Sequence, residues 1–305
     1  MLVNVLYYYK IVKILKCEMR FVSNVCEPVK GISMEEQYSV LMSVYNKEKA
    51  QYLKQSMESI WSQSYPTDDF VLVCDGKLTK ELNQVITQQK QIYGDRLNVV
   101  ALEESVGLGK ALNQGMKYCK HNIIARMDSD DVSKPERMEK QLRAMKEHKA
   151  AVVGSAVEEF AETTEHVMAV RKMPESSGEI RKFAARRNPF NHPSVMYQKS
   201  IVETVGGYQD CPFFEDYYLW ARMLKADYEG YNLSESLLYM RAGEDMYQRR
   251  GGYTYAKLAV TFRWKLHKMG ISGLADFIIS AGGQVLVCLI PNQLRTGFYK
   301  KFLRK

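Results

Sequence analysis

The densest chemistry in this sequence lies in ARMDSDD, residues 125–131, where Asp128, Asp130 and Asp131 crowd the end of an apolar run. Carboxylates this close repel and raise one another's pKa unless a cation neutralises them. Hard oxygen donors suit Mg²⁺ or Mn²⁺, which bind through one or two carboxylates together with substrate phosphates. Capping a helix ahead of Pro135, by Asp131 or Ser133, accounts for one acid but not for three. The spacing therefore predicts a metal–phosphate site.

A second acidic pair, Glu215 and Asp216, opens the run FFEDYYLW. Both suit a helix start, and capping is the plain explanation. The sharper one makes Asp216 a general base, with Glu215 or burial keeping its pKa from falling too far. Asp75, in VCDG, ends another apolar run and can accept hydrogen bonds from a base or ribose, although Asp-Gly after a strand also reads as a turn. ESVGLGKALNQG (104–115) fits neither a dinucleotide fingerprint nor a P-loop. Its glycines either admit close packing or leave helix-start N–H groups free for an anion, with Lys110 adding charge. His192, in NPFNHPSV, sits in a polar loop, and YQRRGG offers Arg249 and Arg250, whose forked guanidiniums suit phosphate.

These residues need a frame, and the hydrophobic pattern supplies one. YSVLMSVY from Tyr38, FVLVCD (70–75), LNVVAL (97–102) and NIIARMD (122–128) read as buried strands, with AAVVGSAVEEF (150–160) a further one. Between them, Leu53/Met57/Ile60/Trp61, Leu78/Leu82/Val85/Ile86, Leu108/Leu112/Cys119 and Met138/Leu142/Met145 recur at helical spacing. Strand–helix alternation with apolar strands predicts an α/β fold with a parallel sheet covered on both faces. Ligands in such sheets bind beyond the strands' carboxyl ends, where Asn46, Asp75 and Asp128 fall. The second half is less regular: 178–188 is helical and basic, and Leu219, Met223 and Leu224 share a helical face.

The chain has 305 residues and a formal net charge of +8, which favours anionic partners. No interleaved basic–aromatic strand motif supports nucleic-acid binding. The six cysteines form no CxxC pair or zinc spacing and suit a reducing compartment and a core role. The first 20 residues mix apolar side chains with Lys10, Lys13, Lys16 and Arg20 and lack a cleavable-signal pattern. Near the other end, FIISAGGQVLVCLI (277–290) is short for a spanning helix. It reads either as a core helix or as an interfacial segment with Arg295, Lys300, Lys301, Arg304 and Lys305 at lipid headgroups.

In their order and spacing, SVYN (43–46), Asp75, GLGKALNQG, MDSDD, NHPS and the Glu215–Asp216 pair resemble inverting glycosyltransferases of family 2, and most of all bacterial exopolysaccharide and capsule transferases of the amylovoran-biosynthesis type. The resemblance spans roughly residues 38–252. It implies a GT-A fold, a Rossmann-like, mostly parallel sheet flanked by helices. The expected organisation is an appendage at 1–36, a catalytic domain at 37–252 (nucleotide-sugar half 37–135, acceptor half 136–252) and a helical, membrane-associated tail at 253–305. By the same resemblance, Ser43, Tyr45 and Asn46 line the nucleotide pocket with Ser129 on the donor side, and Asp75 holds the base. Lys110 and Arg126 approach the phosphates, Asp128 contacts ribose, sugar or metal, and Asp130 binds the Mg²⁺ or Mn²⁺. His192 lies on the acceptor side, and Asp216 deprotonates the acceptor.

The expected activity is inverting transfer from a nucleotide-sugar, UDP by default, to a saccharide or lipid-linked saccharide at the inner face of the plasma membrane. Ser105 stands where the family often has Asn, and Gly76 where it often has a second acid. YQRRGG lacks the Trp of the Q-x-x-R-W motif of processive synthases. A sugar nucleotidyltransferase and a non-catalytic nucleotide-sugar-binding protein are the alternatives.

Overall fold

A computed structural model describes residues 36–242 and 251–289. In chain order the strands are β1 (Tyr38–Tyr45), β2 (Asp69–Asp75), β3 (Leu97–Ala101), β4 (Ile123–Asp128), β5 (Val132–Ser133), β6 (Val152–Phe160), β7 (Val167–Arg171), β8 (Met196–Gln198) and β9 (Gly230–Arg241). The helices are α1 (Ala50–Trp61), α2 (Lys80–Tyr93), α3 (Leu108–Met116), α4 (Arg137–Glu147), α5 (Ser177–Ala184), α6 (Lys199–Thr204), α7 (Glu215–Lys225), α8 (Gly252–Lys268) and α9 (Leu274–Leu289).

One sheet runs β3-β2-β1-β4-β8-β6-β9-β5, with β7 beside β6. Its first four strands are parallel and almost wholly apolar, as strands covered on both faces must be. The chain leaves β1 for β2 on one side and returns as β4 on the other. That reversal opens a crevice beyond the carboxyl ends of β1 and β4, where ligands bind in open α/β sheets. Register then decides which residues meet there: Ser43 lies beside Asp128, and Tyr45 beside Asp75.

Beyond β4 the pairing is mixed. β8 runs antiparallel to both β4 and β6, while β9 returns parallel to β6. β7 and β9 lie in the stretch where the sequence pattern was least regular. β9 alternates weakly because Ser234 and Glu235 face water where its register with β6 shifts. The basic helix expected over 178–188 ends earlier, at Ala184.

The core runs from the parallel strands through α3 into α7 and α8, joining Leu41, Val73, Leu112, Trp220 and Phe262. Helix α3 sits close on the sheet because Gly115 lacks a side chain: an added Cβ would lie 2.5 Å from both Leu41 Cδ1 and Val73 Cγ2. On the other side of α7, the Phe214 and Phe262 rings stack with centroids 4.6 Å apart. Arg263 donates to the Tyr217 hydroxyl at 3.1 Å. Cys74, Cys119 and Cys288 are buried free thiols, in keeping with a core role.

Candidate active site

Strand β4 ends in a tight acidic turn. The carboxylates of Asp128, Asp130 and Asp131 each offer an oxygen, and these lie within 4.8 Å of one another. Burial, with the charges of Asp128 and Glu48, pushes the Asp130 carboxyl up to about 7. Asp131 is driven well above the usual carboxylate range by burial and by Asp130 and Asp128. Acids so crowded are a poor arrangement alone and a good one around a divalent cation, which would stabilise their ionised forms. One Asp131 oxygen, Oδ2, is buried without a hydrogen-bond partner among the described residues. These donors fit Mg²⁺ or Mn²⁺. Asp131 does not cap the following helix, which starts at Arg137 without a side-chain cap.

Several residues fix the turn's shape. Arg126, fully buried on β4, pairs through Nη2 with Asp128. Its Nε and Nη1 have no hydrogen-bond partner among the described residues. Ser56 on α1 donates to the Asp128 carbonyl at 2.8 Å. Ser129 donates to Glu48 at 2.8 Å, so Glu48 becomes a fourth acid at the rim. Arg241, at the end of β9, holds the turn from beyond. Its backbone N–H donates to Asp131 Oδ1 at 2.7 Å, its Nε to the Asp130 carbonyl at 2.9 Å and its Nη2 to Gln55 at 2.8 Å. The guanidinium is sandwiched between the Tyr52 and Phe160 rings, 3.8 and 4.3 Å from their centroids.

Across the crevice mouth, Asp75 is already engaged. Val106 N–H donates to its Oδ1 at 2.7 Å, while the Ser105 hydroxyl and Gly107 N–H donate to its Oδ2 at 3.0 and 3.1 Å. The anion that the glycine-rich start of α3 binds is therefore Asp75 itself. Gly76 is more than a generic turn residue: its φ is +81°, and a Cβ there would lie 2.8 Å from Ser105 N. Gly109 serves packing, since its Cβ would sit 3.2 Å from Glu215 Cγ and 3.3 Å from Tyr208 Cβ. Lys110 is exposed and lines a recess of about 330 Å³ with Glu103, Glu104 and Asn113.

That close approach brings α7 to the site. Asp216 lies in its first turn, where backbone N–H groups favour an anion. Tyr217 N–H donates to Asp216 Oδ1 at 2.7 Å, and the Asn188 amide donates to Oδ2 at 2.7 Å. Burial, with the charges of Asp216 and Asp210, raises the pKa of neighbouring Glu215. Phe213, two residues before, has φ +69°, a left-handed conformation that costs a bulky residue energy. His192 Nε2 lies 3.0 Å from the Tyr208 hydroxyl. Burial, with Arg126 nearby, holds its pKa well below the ordinary value, so the ring is neutral. Asn113 on α3 pins the loop by accepting from Tyr208 N–H and donating to the Tyr208 carbonyl.

The tertiary fold thus brings Ser43, Arg126, Asp128, Ser129 and Asp130 together at one strand end, with Tyr45 and Asn46 exposed where β1 runs into its turn. Glu215, Asp216 and His192 come from the second half. Arg249 and Arg250 lie outside the described residues, as do the appendage through residue 35 and the basic end from Arg295. Glu48, Asn188 and Arg241 were missed in the sequence. Asn188 opens the same NPFNHPS segment that drew attention to His192. Arg241 has no local signal at all, because its side-chain hydrogen-bond partners are 79 to 186 residues away in sequence.

A model of the family described as "Glycosyl transferase family 2" matches residues 39–206. The amylovoran biosynthesis glycosyltransferase AmsE of Erwinia amylovora is 42% identical over 87% of this chain and 98% of its own length. An uncharacterized glycosyltransferase of Haemophilus influenzae is 38% identical over 88% and 99%. The UDP-Gal:alpha-D-GlcNAc-diphosphoundecaprenol beta-1,3-galactosyltransferase of Escherichia coli is 34% identical over 88% and 97%. Among solved structures, S. aureus TarS in complex with UDP-GlcNAc matches the fold with a TM-score of 0.57 at 18% identity, covering 88% of this chain and 71% of that one.

Proposed function

This chain belongs to glycosyl transferase family 2, and from that premise we propose that it inverts the anomeric centre of a sugar as it moves it from a UDP-sugar to a hydroxyl of a lipid-linked saccharide. The setting proposed is surface-polysaccharide assembly at the inner face of the plasma membrane. It is a transferase of the GT-A fold, which displaces the nucleotidyltransferase alternative. UDP as the nucleotide and a diphosphate-linked lipid as the acceptor draw on the named activity of the E. coli relative.

The observation that carries the mechanism is the pair of differently built acidic groups, one a crowded turn and one at a helix start. Asp128 and Asp130 would hold a divalent cation, which supplies charge neutralisation for the departing diphosphate. Ser43, Tyr45, Asn46 and Ser129 flank the same crevice and would receive the nucleotide. Asp75 would reach a base only together with the 105–107 loop it anchors. Arg126 supports Asp128 from below and so acts on the donor through that carboxylate.

Asp216 is the base of choice because two N–H donors orient its carboxylate, whereas the Glu215 side chain packs toward Gly109. Asp216 takes the proton of the acceptor hydroxyl as that oxygen bonds to the anomeric carbon. The bond from that carbon to the diphosphate oxygen breaks on the opposite face, and the nucleoside diphosphate leaves with the electron pair. One displacement from the far side inverts the centre. Neutral His192, beside Tyr208, would line the acceptor side and add no charge there.

The test is release of nucleoside diphosphate from a panel of UDP-sugars, with Mn²⁺ or EDTA and with or without a lipid-linked saccharide. Acceptor- and metal-dependent release giving a product of inverted anomeric configuration is expected. Release indifferent to metal, or a retained configuration in the product, overturns the mechanism.

A further inference from the structure

Helix α9 is 16 residues long, and its one charged residue, Asp276, is engaged by Arg186 at 2.6 Å. A helix that is apolar all round belongs in a core or against lipid. This one is covered on a single side, where Ala281 and Cys288 are buried and Phe277 meets the Trp264 ring at 5.3 Å. Its open arc carries Leu274, Ile278, Ile279 and Leu286, with Ile278 59% and Leu286 68% exposed. No helix among the described residues is long and apolar enough to cross a membrane. At about 24 Å, from 1.5 Å per residue, α9 is short of a ~30 Å hydrocarbon layer and suits its surface.

Beside the start of α9 lies an open cleft of about 810 Å³, walled by residues 181–183 and 185–187, by Pro174, Ile271 and Asp276, and by Glu179, whose carboxylate is engaged by Ser176. Two of its cations are committed: Arg181 to Asp227 and Glu229, and Arg186 to Asp276. The other two, Lys182 and Arg187, make no ion pair among the described residues; Arg187 rests on the Phe183 ring, 5.4 Å from its centroid. The residue after Arg187 is Asn188, whose amide holds Asp216. Chain continuity therefore places Arg187, at the cleft wall, one residue from the side chain that holds the proposed base.

We propose that Lys182 and Arg187 form the site for the diphosphate of the lipid carrier, with α9 against the lipid chain and bilayer surface and the acceptor sugar reaching Asp216. The inference rests on the lipid-linked acceptor proposed above. Charge complementarity selects this occupant: a guanidinium and an ammonium lining one cleft match a diphosphate, and the helix that carries the apolar arc borders that cleft through Asp276 and matches its hydrocarbon. The polar end of such a lipid stays at the headgroup level, which half-exposed Trp264, against Phe277 of α9 and under the Lys268 ammonium, suits.

The test is equilibrium binding of dodecyl diphosphate, inorganic diphosphate and phosphate-free dodecyl glucoside to the full chain in EDTA. Chelation silences the metal-dependent donor site, and no turnover is needed. The wild type is expected to bind dodecyl diphosphate at least ten-fold more tightly than either other probe. The K182A/R187A variant, with an unchanged melting transition, should lose that margin, K182R/R187K should recover it, and Ile278→Asp should weaken dodecyl diphosphate but not inorganic diphosphate. Equal binding by wild type and K182A/R187A, or inorganic diphosphate bound as well as the dodecyl form, overturns the site. If the margin holds but no lipid-linked saccharide accepts sugar, the acceptor reading fails and the lipid-diphosphate site stands. Transfer to lipid-linked acceptors without the margin sinks the site alone.

Discussion

Two groups of acids, three at 128–131 and two at 215–216, are built in opposite ways. At 128–131 the carboxylates confront one another in a buried turn, and their mutual charge pushes Asp130 and Asp131 upward. At 215–216 the pair sits at a helix start; Asp216 receives N–H groups from Tyr217 and Asn188, and Glu215 turns toward Gly109. In the first arrangement the acids crowd one another, and Asp131 Oδ2 has no hydrogen-bond partner among the described residues. The second gives each acid its own surroundings and orients the Asp216 carboxylate through N–H donors. Residue type alone does not separate a metal ligand from a base; the surrounding donors do.

The comparison breaks most readily at Asp216. Asp216→Asn should lower kcat by about 10²–10⁴, the usual worth of general-base catalysis, while Mn²⁺-dependent UDP binding persists. Glu215→Gln should cost far less, and equal losses measured in steady-state kinetics would end the distinction between the two. On the other side, Asp130→Ala should abolish the Mn²⁺ dependence of UDP binding measured by calorimetry. Arg241→Ala, which removes the clamp but no ligand, should weaken apparent Mn²⁺ affinity about 10–100-fold, the range for outer partners of a metal site. Normal metal affinity in Arg241→Ala would mean that the turn holds its shape without β9.

Smaller effects sharpen the picture. Asn188→Ala should reduce kcat roughly ten-fold, in line with a hydrogen bond to a charged group, and move the acid limb of the pH–rate profile upward. An unmoved profile would leave Asn188 a structural residue only. The smallest effect concerns His192. Its pKa is depressed by burial, so below about pH 6.5 the unfolded chain binds a proton that the folded chain refuses. Stability contributed by the neutral ring is therefore present above that pH and lost as pH falls, by up to about 1.4 kcal/mol per pH unit. His192→Gln should flatten the fall in Tm between pH 7 and pH 5; an unchanged slope would show the loss to come from elsewhere.

The parallel half of the sheet was legible because its strands and helices are strictly periodic. β2 and β4 end in the acids that the pattern marked, so Asp75 and Asp128 arrive where expected. The acidic turn was legible too, since three acids in four residues need a reason. Asp75's engagement with the 105–107 loop was not, because its partners come from the next crossover. Nor were β7 and β9 with their weaker alternation, or the open face of α9, since an apolar run has the same sequence whether it is buried or left bare.

By itself, then, the sequence determined the family, the α/β alternation and the two acidic groups, because periodicity and local charge density are properties of neighbours along the chain. Only the tertiary structure decided that Arg241 clamps the acidic turn from 110 residues away, that Gly109 lets Glu215 approach α3, and that Asn188 orients Asp216. Those contacts depend on which strand edges and helix faces the sheet order brings together. No local rule encodes that choice, because it is made by the burial of the whole core at once.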